Sequence, residues 1–333
     1  MAKLLTKTVL RAVVWVVYAA LAAGLVYGIN YLIRLNGPTY FVQAILDGLR
    51  LGFVYALIAL GYTMVYGIVR LINFAHGDVF MVGSFASYYA ITRYNWEFVP
   101  AILFAMAICM LLNVVIERVA YKPLRSAPRI ASLITAIGVS FFLESFTALR
   151  FAFSADFITY KRPFEVVVWQ FWGLRVANVT AVIVVVTLAL VLGLQYITRR
   201  TKIGKAMRAT SLDKSAARLM GINVDGVITF TFALGAALAG AGGVLYAIAF
   251  PQIVTMMGIM PGLKAFTAAV LGGIGSIPGA FIGSVLMGTV DVLVVSFLPM
   301  GSRLRDLFAF LILIIVFLVK PTGIFGEPQV EKV

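Results

Sequence analysis

The chain has 333 residues, of which 62% are hydrophobic and only 12% charged, and its mean hydropathy is +1.03. A soluble domain is nearer half apolar and a quarter charged, so a single core surrounded by water is excluded and the main solvent is lipid. The net charge of +14 does not point to nucleic acid: the basic residues sit at the ends of apolar runs rather than on an aromatic-interleaved polar face.

A membrane-crossing helix needs about 20 predominantly apolar residues. That rule predicts spans near 12–33, 40–69, 77–93, 98–116, 130–150, 176–197, 226–250, 263–275, 279–298 and 306–320. The fold class is therefore an all-α polytopic membrane protein of about ten spans. The second span is long enough to be tilted or broken, and the eighth is too short to cross comfortably. Residues 1–36 form an extra N-terminal helix; a signal peptide ending near Ala20-Leu21-Ala22 is the alternative, disfavoured by the length of its apolar run. The one cysteine, Cys109, lies inside an apolar run, leaves no disulfide frame and reads as a small hydrophobe.

Orientation follows from lysine and arginine. With the N-terminus inside, the inside segments 1–11, 70–76, 117–129, 198–225 and 320–333 carry 17 of the 27 basic residues. The clusters Arg118/Lys122/Arg125/Arg129 and Arg199 through Arg218 both fall there, so both termini are expected in the cytoplasm. Loop 151–175 is then outside, and its Trp169 and Trp172 read as interfacial anchors or as a docking surface.

Two regions depart from plain apolar helix: 66–78, YGIVRLINFAHGD, and 271–280, LGGIGSIPGA. Small residues allow close backbone approach, and non-helical backbone inside a membrane must face protein or a water-filled cavity. Paired broken helices in two halves of a chain point to a transport path and to an internal inverted repeat. Asn73, His76 and Asp78 are candidates to cap the broken ends; a position at the cytoplasmic interface is the simpler reading for His76 and Asp78. A lone histidine with no metal-ligand or nucleophile constellation makes an intramembrane enzyme centred on His76 and Asp78 a poor fit. Among acids within spans, Asp47 can pair with Arg50 three residues on, whereas Glu144 and Asp291 have no local partner, with helix–helix packing through an interhelical hydrogen bond as the alternative to a functional role. Asp47, Glu144 or Asp291 would be the coupling sites of an ion-driven transporter.

The loop 198–225 is basic and helix-prone between Gly204 and Gly221, which suits an amphipathic helix lying on lipid or docked on a cytoplasmic protein. No phosphate-binding loop, HExxH, CxxC or GxSxG is present, so energy for uphill transport would enter from ions or from a partner.

Two stretches, GLRLGFVYALIALGYTMVYGIVRLINFAHGDVFMVGSFASYYA (48–90) and GLKAFTAAVLGGIGSIPGAFIGS (262–284), resemble the branched-chain amino acid ABC importer permeases of the LivH type. GKAMRA followed by AARLMGI is similar to that family's ATPase-coupling loop. The resemblance covers about residues 40–326. It implies a permease domain over 37–326 with a cytoplasmic tail at 327–333, in the plasma (inner) membrane. It also implies a second, M-type permease subunit, two cytoplasmic ATPase subunits that bind the ATP, and an extracytoplasmic binding protein; no cofactor and no nucleic acid are expected. Carried over by position, Gly204, Lys205, Arg208, Ala209, Asp213, Ala216, Ala217 and Gly221 would contact an ATPase. Asn73, Phe74, Ala75, His76, Gly77 and Asp78 would form one part of the path, and Gly272, Gly273, Gly275 and Pro278 the other. The substrate expected is a branched-chain amino acid, with urea or a short amide as the alternative.

Overall fold

The computed structural model describes residues 37–326 apart from 126, 151, 154 and 299, together with six residues between 27 and 34. The predicted span 12–33 and the tail 327–333 lie essentially outside the described residues.

The described chain is a bundle of eleven α-helices: α1 (Pro38–Val69), α2 (His76–Tyr94), α3 (Phe98–Ile116), α4 (Arg129–Thr147), α5 (Asn178–Arg200), α6 (Lys202–Leu212), α7 (Lys214–Leu219), α8 (Val224–Ala249), α9 (Ile259–Gly272), α10 (Ile277–Phe297) and α11 (Gly301–Val319). Among them, six are long and apolar enough to cross a membrane: α1, α3 with its continuation to Leu124, α4, α5, α8 and α10. Each predicted span from the second to the tenth coincides with a helix. However, α9 is only 14 residues, about 21 Å, and falls short of the roughly 30 Å hydrocarbon layer.

Helix α1 is unbroken over 32 residues, with Pro38 in its first turn and Arg70 closing it in the left-handed region, its N–H donating to the Tyr66 carbonyl at 2.9 Å. The centre of the bundle is α1 and α8: 83% of the most apolar stretch of each is buried, against 22% in α4 and α5. Glycine makes these central contacts possible. A Cβ on Gly52 would lie 2.7 Å from Val285 Cα, and one on Gly83 would lie 2.6 Å from Gly240 Cα, so α1 meets α10 and α2 meets α8 backbone to backbone.

The two ends of the bundle differ. At one end, β1 (Ile158–Thr159) pairs antiparallel with β4 (Gln252–Ile253), and β2 (Val168–Phe171) pairs with β3 (Leu174–Ala177). The β2–β3 turn is Trp172-Gly173, both at positive φ, as a tight hairpin with the right twist requires. Trp172 at its tip is fully exposed. At the opposite end sit α6 and α7 and the basic turn 117–125.

Candidate translocation site

Two helices begin inside the bundle rather than at its ends. After Arg70 the chain turns back, and α2 starts at His76 beside Gly61, eight residues or about 12 Å short of the end of α1. From the other end, the chain leaves α8 and is held by the β1–β4 pair. It then re-enters to start α9 against the first turn of α2. The crossing point is Gly77 on Gly258: a Cβ on Gly77 would stand 2.5 Å from the Gly258 carbonyl oxygen, and the converse is tighter still. Gly262, one turn on, lies against Gly77 Cα.

The polar residues of the first motif do not cap this break. Helix α2 has no side-chain cap, and the Asn73 side chain instead accepts from the Tyr121 hydroxyl at 2.7 Å. The reason is local: the turn is closed by backbone, with the N–H groups of His76 and Asp78 donating to the Asn73 and Ala75 carbonyls at 3.1 Å each. An open interfacial position is not found either, since Asn73, His76 and Asp78 are all buried. The His76 ring fills the notch left by Gly61 and stacks edge-on against Tyr62, and neither ring nitrogen makes a well-formed hydrogen bond. Phe74 packs toward Phe266, and Ala75 is fully buried.

Beside the crossing lies a cleft of about 310 Å³. Tyr62, Phe74, Asp78, the first turn of α9, and Ile137, Ser140, Phe141 and Glu144 of α4 line it. Ser140 donates to Asp78 Oδ2 at 2.5 Å, and Glu144 stands one turn further along α4.

A second buried polar group sits on the other side of α9. Asp291, on α10, accepts from Lys264 Nζ at 2.9 Å, from an Arg305 guanidinium nitrogen at 2.6 Å and from the Tyr55 hydroxyl at 2.9 Å. Lys264 also meets Asp306 at 2.8 Å. Asp291 has no local partner, as expected: its partners come from three other helices, at separations that adjacent-residue reasoning does not reach. Asp47 and Arg50 do pair, at 3.6 Å. Cys109 is buried and touches the Val79 carbonyl oxygen at 3.3 Å.

The second glycine motif stands apart from the crossing, at the end of the bundle where α1 finishes. Gly273 and Gly275 adopt φ of 106° and 101°, a region only glycine enters easily, and Ser276 caps α10 through the Gly279 N–H. Gly272 packs on Gly279, Pro278 lies in the first turn of α10, and a Cβ on Gly67 would come within 3.4 Å of Gly275.

The loop 198–223 folds as two short helices, not one, because Asp213 leaves helical geometry and caps α7 through the N–H groups of Ser215 and Ala216, at 2.8 and 3.0 Å. Gly204, Met207, Thr210 and Ala217 face inward, and Ala209 is half-buried. Lys205, Arg208, Asp213, Ala216 and Gly221 are exposed, as are Leu212, Leu219 and Met220, each more than 80%. The loop is anchored to the bundle twice. Arg218, Lys122 and Arg125 converge on Asp225 at 3.6, 3.3 and 2.7 Å, while Arg125 also pairs with buried Glu117. Lys214 Nζ donates to the Val69 carbonyl, the last residue of α1 before the break, at 3.3 Å. Burial, with Arg125, Arg70 and Arg218 around it, holds this ammonium below the ordinary lysine range.

The family described as branched-chain amino acid transport system / permease component matches residues 44–317. The chain is 43% identical over 305 residues to the high-affinity branched-chain amino acid transport system permease protein LivH of Salmonella typhimurium, covering 88% of this chain and 98% of the relative. The chain belongs to this permease family. It is also 40% identical to BraD of Pseudomonas aeruginosa over 304 residues, 88% and 98% of the two chains. To the probable LivH of Methanocaldococcus jannaschii it is 27% identical over 288 residues, 81% and 88% of the two. No solved structure matches.

As a multi-pass membrane permease, the molecule brings together Phe74, Gly77 and Asp78 at the cleft but not Gly272, Gly273, Gly275 or Pro278. The cleft residues that the sequence did not single out are Gly258, at the start of α9, and Ser140, which shares a face of α4 with Glu144, while Gly262 opens the stretch 262–284 without a role of its own. Pro261-Gly262 is the signal that was available for a helix starting there.

Proposed function

We propose that this chain is the transmembrane permease subunit of an ATP-driven importer for branched-chain amino acids. An extracytoplasmic protein delivers the substrate, and two partner ATPases drive alternating access. The observation that carries the reading is the crossing of two half-helices at Gly77 and Gly258, in a chain 43% identical to a branched-chain permease over nearly the relative's whole length. Half-helices that begin inside a membrane bundle, beside a cleft, are how transporters build a site at mid-depth.

The α6–α7 face bearing Lys205, Arg208, Leu212, Leu219 and Met220 is the ATPase dock in this reading. Lys214 ties that dock to the end of α1, and the Arg125–Asp225 group ties it to α8. At the other end, Tyr160 reaches the Ser87 hydroxyl of α2 at 2.9 Å, and β1 holds the strand leading into α9. One end of the molecule thus holds the long helices α1 and α8, and the other holds α2 and the segment leading into α9, so movement at either end can reach the crossing.

The topology we propose has ten spans, counting the N-terminal helix, α2, α9 and α11, with both termini in the cytoplasm. An inverted repeat of α1–α4 and α8–α11 fits the packing. In each half a long helix precedes a half-helix. The long helix α1 packs on α10 and α8 on α3, while half-helix α2 packs on α8 and α9 on α1. The ion-driven alternative is weakened by the pairing of Asp291 and Asp47.

Vesicles holding this chain with a partner permease and ATPases discriminate these readings. Leucine uptake should require ATP and persist when ion gradients are collapsed by ionophores. Uptake driven by an imposed ion gradient without ATP would overturn the proposal.

A further inference from the structure

Among the described residues, the one side-chain partner of the buried Asp78 carboxylate is neutral, the Ser140 hydroxyl, and Asp78 lines an open cleft. Among the described residues neither Asp78 nor Glu144 takes part in an ion pair, although Glu117 and Asp291, buried elsewhere, are each paired with arginine or lysine. An uncompensated buried carboxylate is costly, and such groups are normally paired with a cation. Among the described residues no lysine or arginine lines the cleft, so none of them supplies the missing cation.

The remaining walls narrow what that cation is. Phe74, Ile137, Phe141, Ile259 and Leu263 make them apolar, which disfavours a strongly hydrated metal ion, and no metal-ligating cluster is found among the described residues. The volume of about 310 Å³ falls at the small end of the roughly 300–1,000 Å³ typical of small-molecule sites. The first turns of both α2 and α9 border the cleft. Asp78 already supplies the acidic group in the first turn of α2, whereas α9 has neither a side-chain cap nor an acid in its first turn. Helix N-termini favour a negative group. A carboxylate pair, apolar walls and the uncapped start of α9 are together complementary to a zwitterion with an apolar tail.

We propose that this cleft is the permease's own amino acid site, with the substrate ammonium between Asp78 and Glu144, its side chain on Ile137, Phe141 and Leu263, and its carboxylate toward the start of α9. The proposal rests on the branched-chain permease reading and adds to it a site inside the membrane subunit, separate from that of the delivering protein.

The test uses the complete transporter, purified and reconstituted, with and without its binding protein. In the absence of the binding protein, labelled leucine and 3-methylbutylamine should bind, 4-methylpentanoate should not, and Asp78→Asn should weaken leucine binding at least tenfold. Equal binding of leucine and 4-methylpentanoate, or unaltered leucine binding by Asp78→Asn, would overturn the site. Because Asp78 is buried, Glu144→Gln serves as the second variant: it has no ion pair to lose. It should melt like the unmutated transporter while leucine binding and uptake fall several-fold; normal binding and uptake by Glu144→Gln would count against the site. Failure of the permease reading shows differently, as absent leucine uptake by the unmutated transporter.

Discussion

Gly77 and Gly258 meet with no side chain between them, each glycine occupying the space where a Cβ on the other would strike its carbonyl. This contact fixes where two half-helices begin and therefore where the cleft lies. Gly77→Ala forces these backbones apart, and overpacking of this kind costs about 1–3 kcal/mol. The purified transporter should melt several degrees lower and lose most uptake. Gly138→Ala, on α4 with open space around it, should leave both within experimental scatter.

The Asn73–Tyr121 hydrogen bond is expected to hold the turn between α1 and α2. Tyr121→Phe or Asn73→Leu each leaves a buried polar atom unpartnered, at about 1–3 kcal/mol. A double-mutant cycle on thermal stability should give a coupling of about 0.5–3 kcal/mol. His76→Gln should impair uptake less than Asn73→Leu, since no well-formed hydrogen bond of the ring is lost.

Asp291 is the hub of its cluster, and its removal strands Lys264 and Arg305. Breaking a buried pair from one side costs about 3–5 kcal/mol, so Asp291→Ala should sharply reduce the yield of folded protein. Asp306→Asn, whose side chain is nearly half exposed, should cost no more than about 1 kcal/mol. Expression and melting of the two variants check the order.

Within 198–223 the inward and outward residues should behave differently. Leu219→Glu combined with Met220→Glu, or Arg208→Glu alone, should abolish copurification of the ATPases and uptake while the chain stays in the membrane. Ala217→Glu places a charge in a buried position and should fail to accumulate at all. If the ATPases still copurify with Leu219→Glu/Met220→Glu, the dock lies elsewhere.

How much of this was legible in the sequence depends on the range of the interaction. Apolar length placed nine helices, and local spacing found Asp47–Arg50, because both signals are contained in a short window. The helix break at 70–75 was visible from its polar run, but its side chains were misassigned. Tyr121, the partner of Asn73, comes from 48 residues away, and backbone closes the turn instead. Asp291 shows the same limit of range: it has no local partner, and Lys264, which pairs with it, lies 27 residues away. Apolar length places the start of α9 only to within a turn, because Gly258 and Gly262, which begin that helix, carry less signal than the glycines at 272–279, where it ends. Ser140 carried no signal of its own until the fold set it against Asp78.

The central claim is that this chain moves branched-chain amino acids under ATP drive. The most direct measurement is uptake of labelled leucine, with labelled urea in parallel, into vesicles holding this chain, its partner subunits and the matching binding proteins. ATP-dependent leucine uptake that disappears when this chain is left out is the predicted result. Urea uptake without leucine uptake, or leucine uptake that persists without this chain, would contradict it.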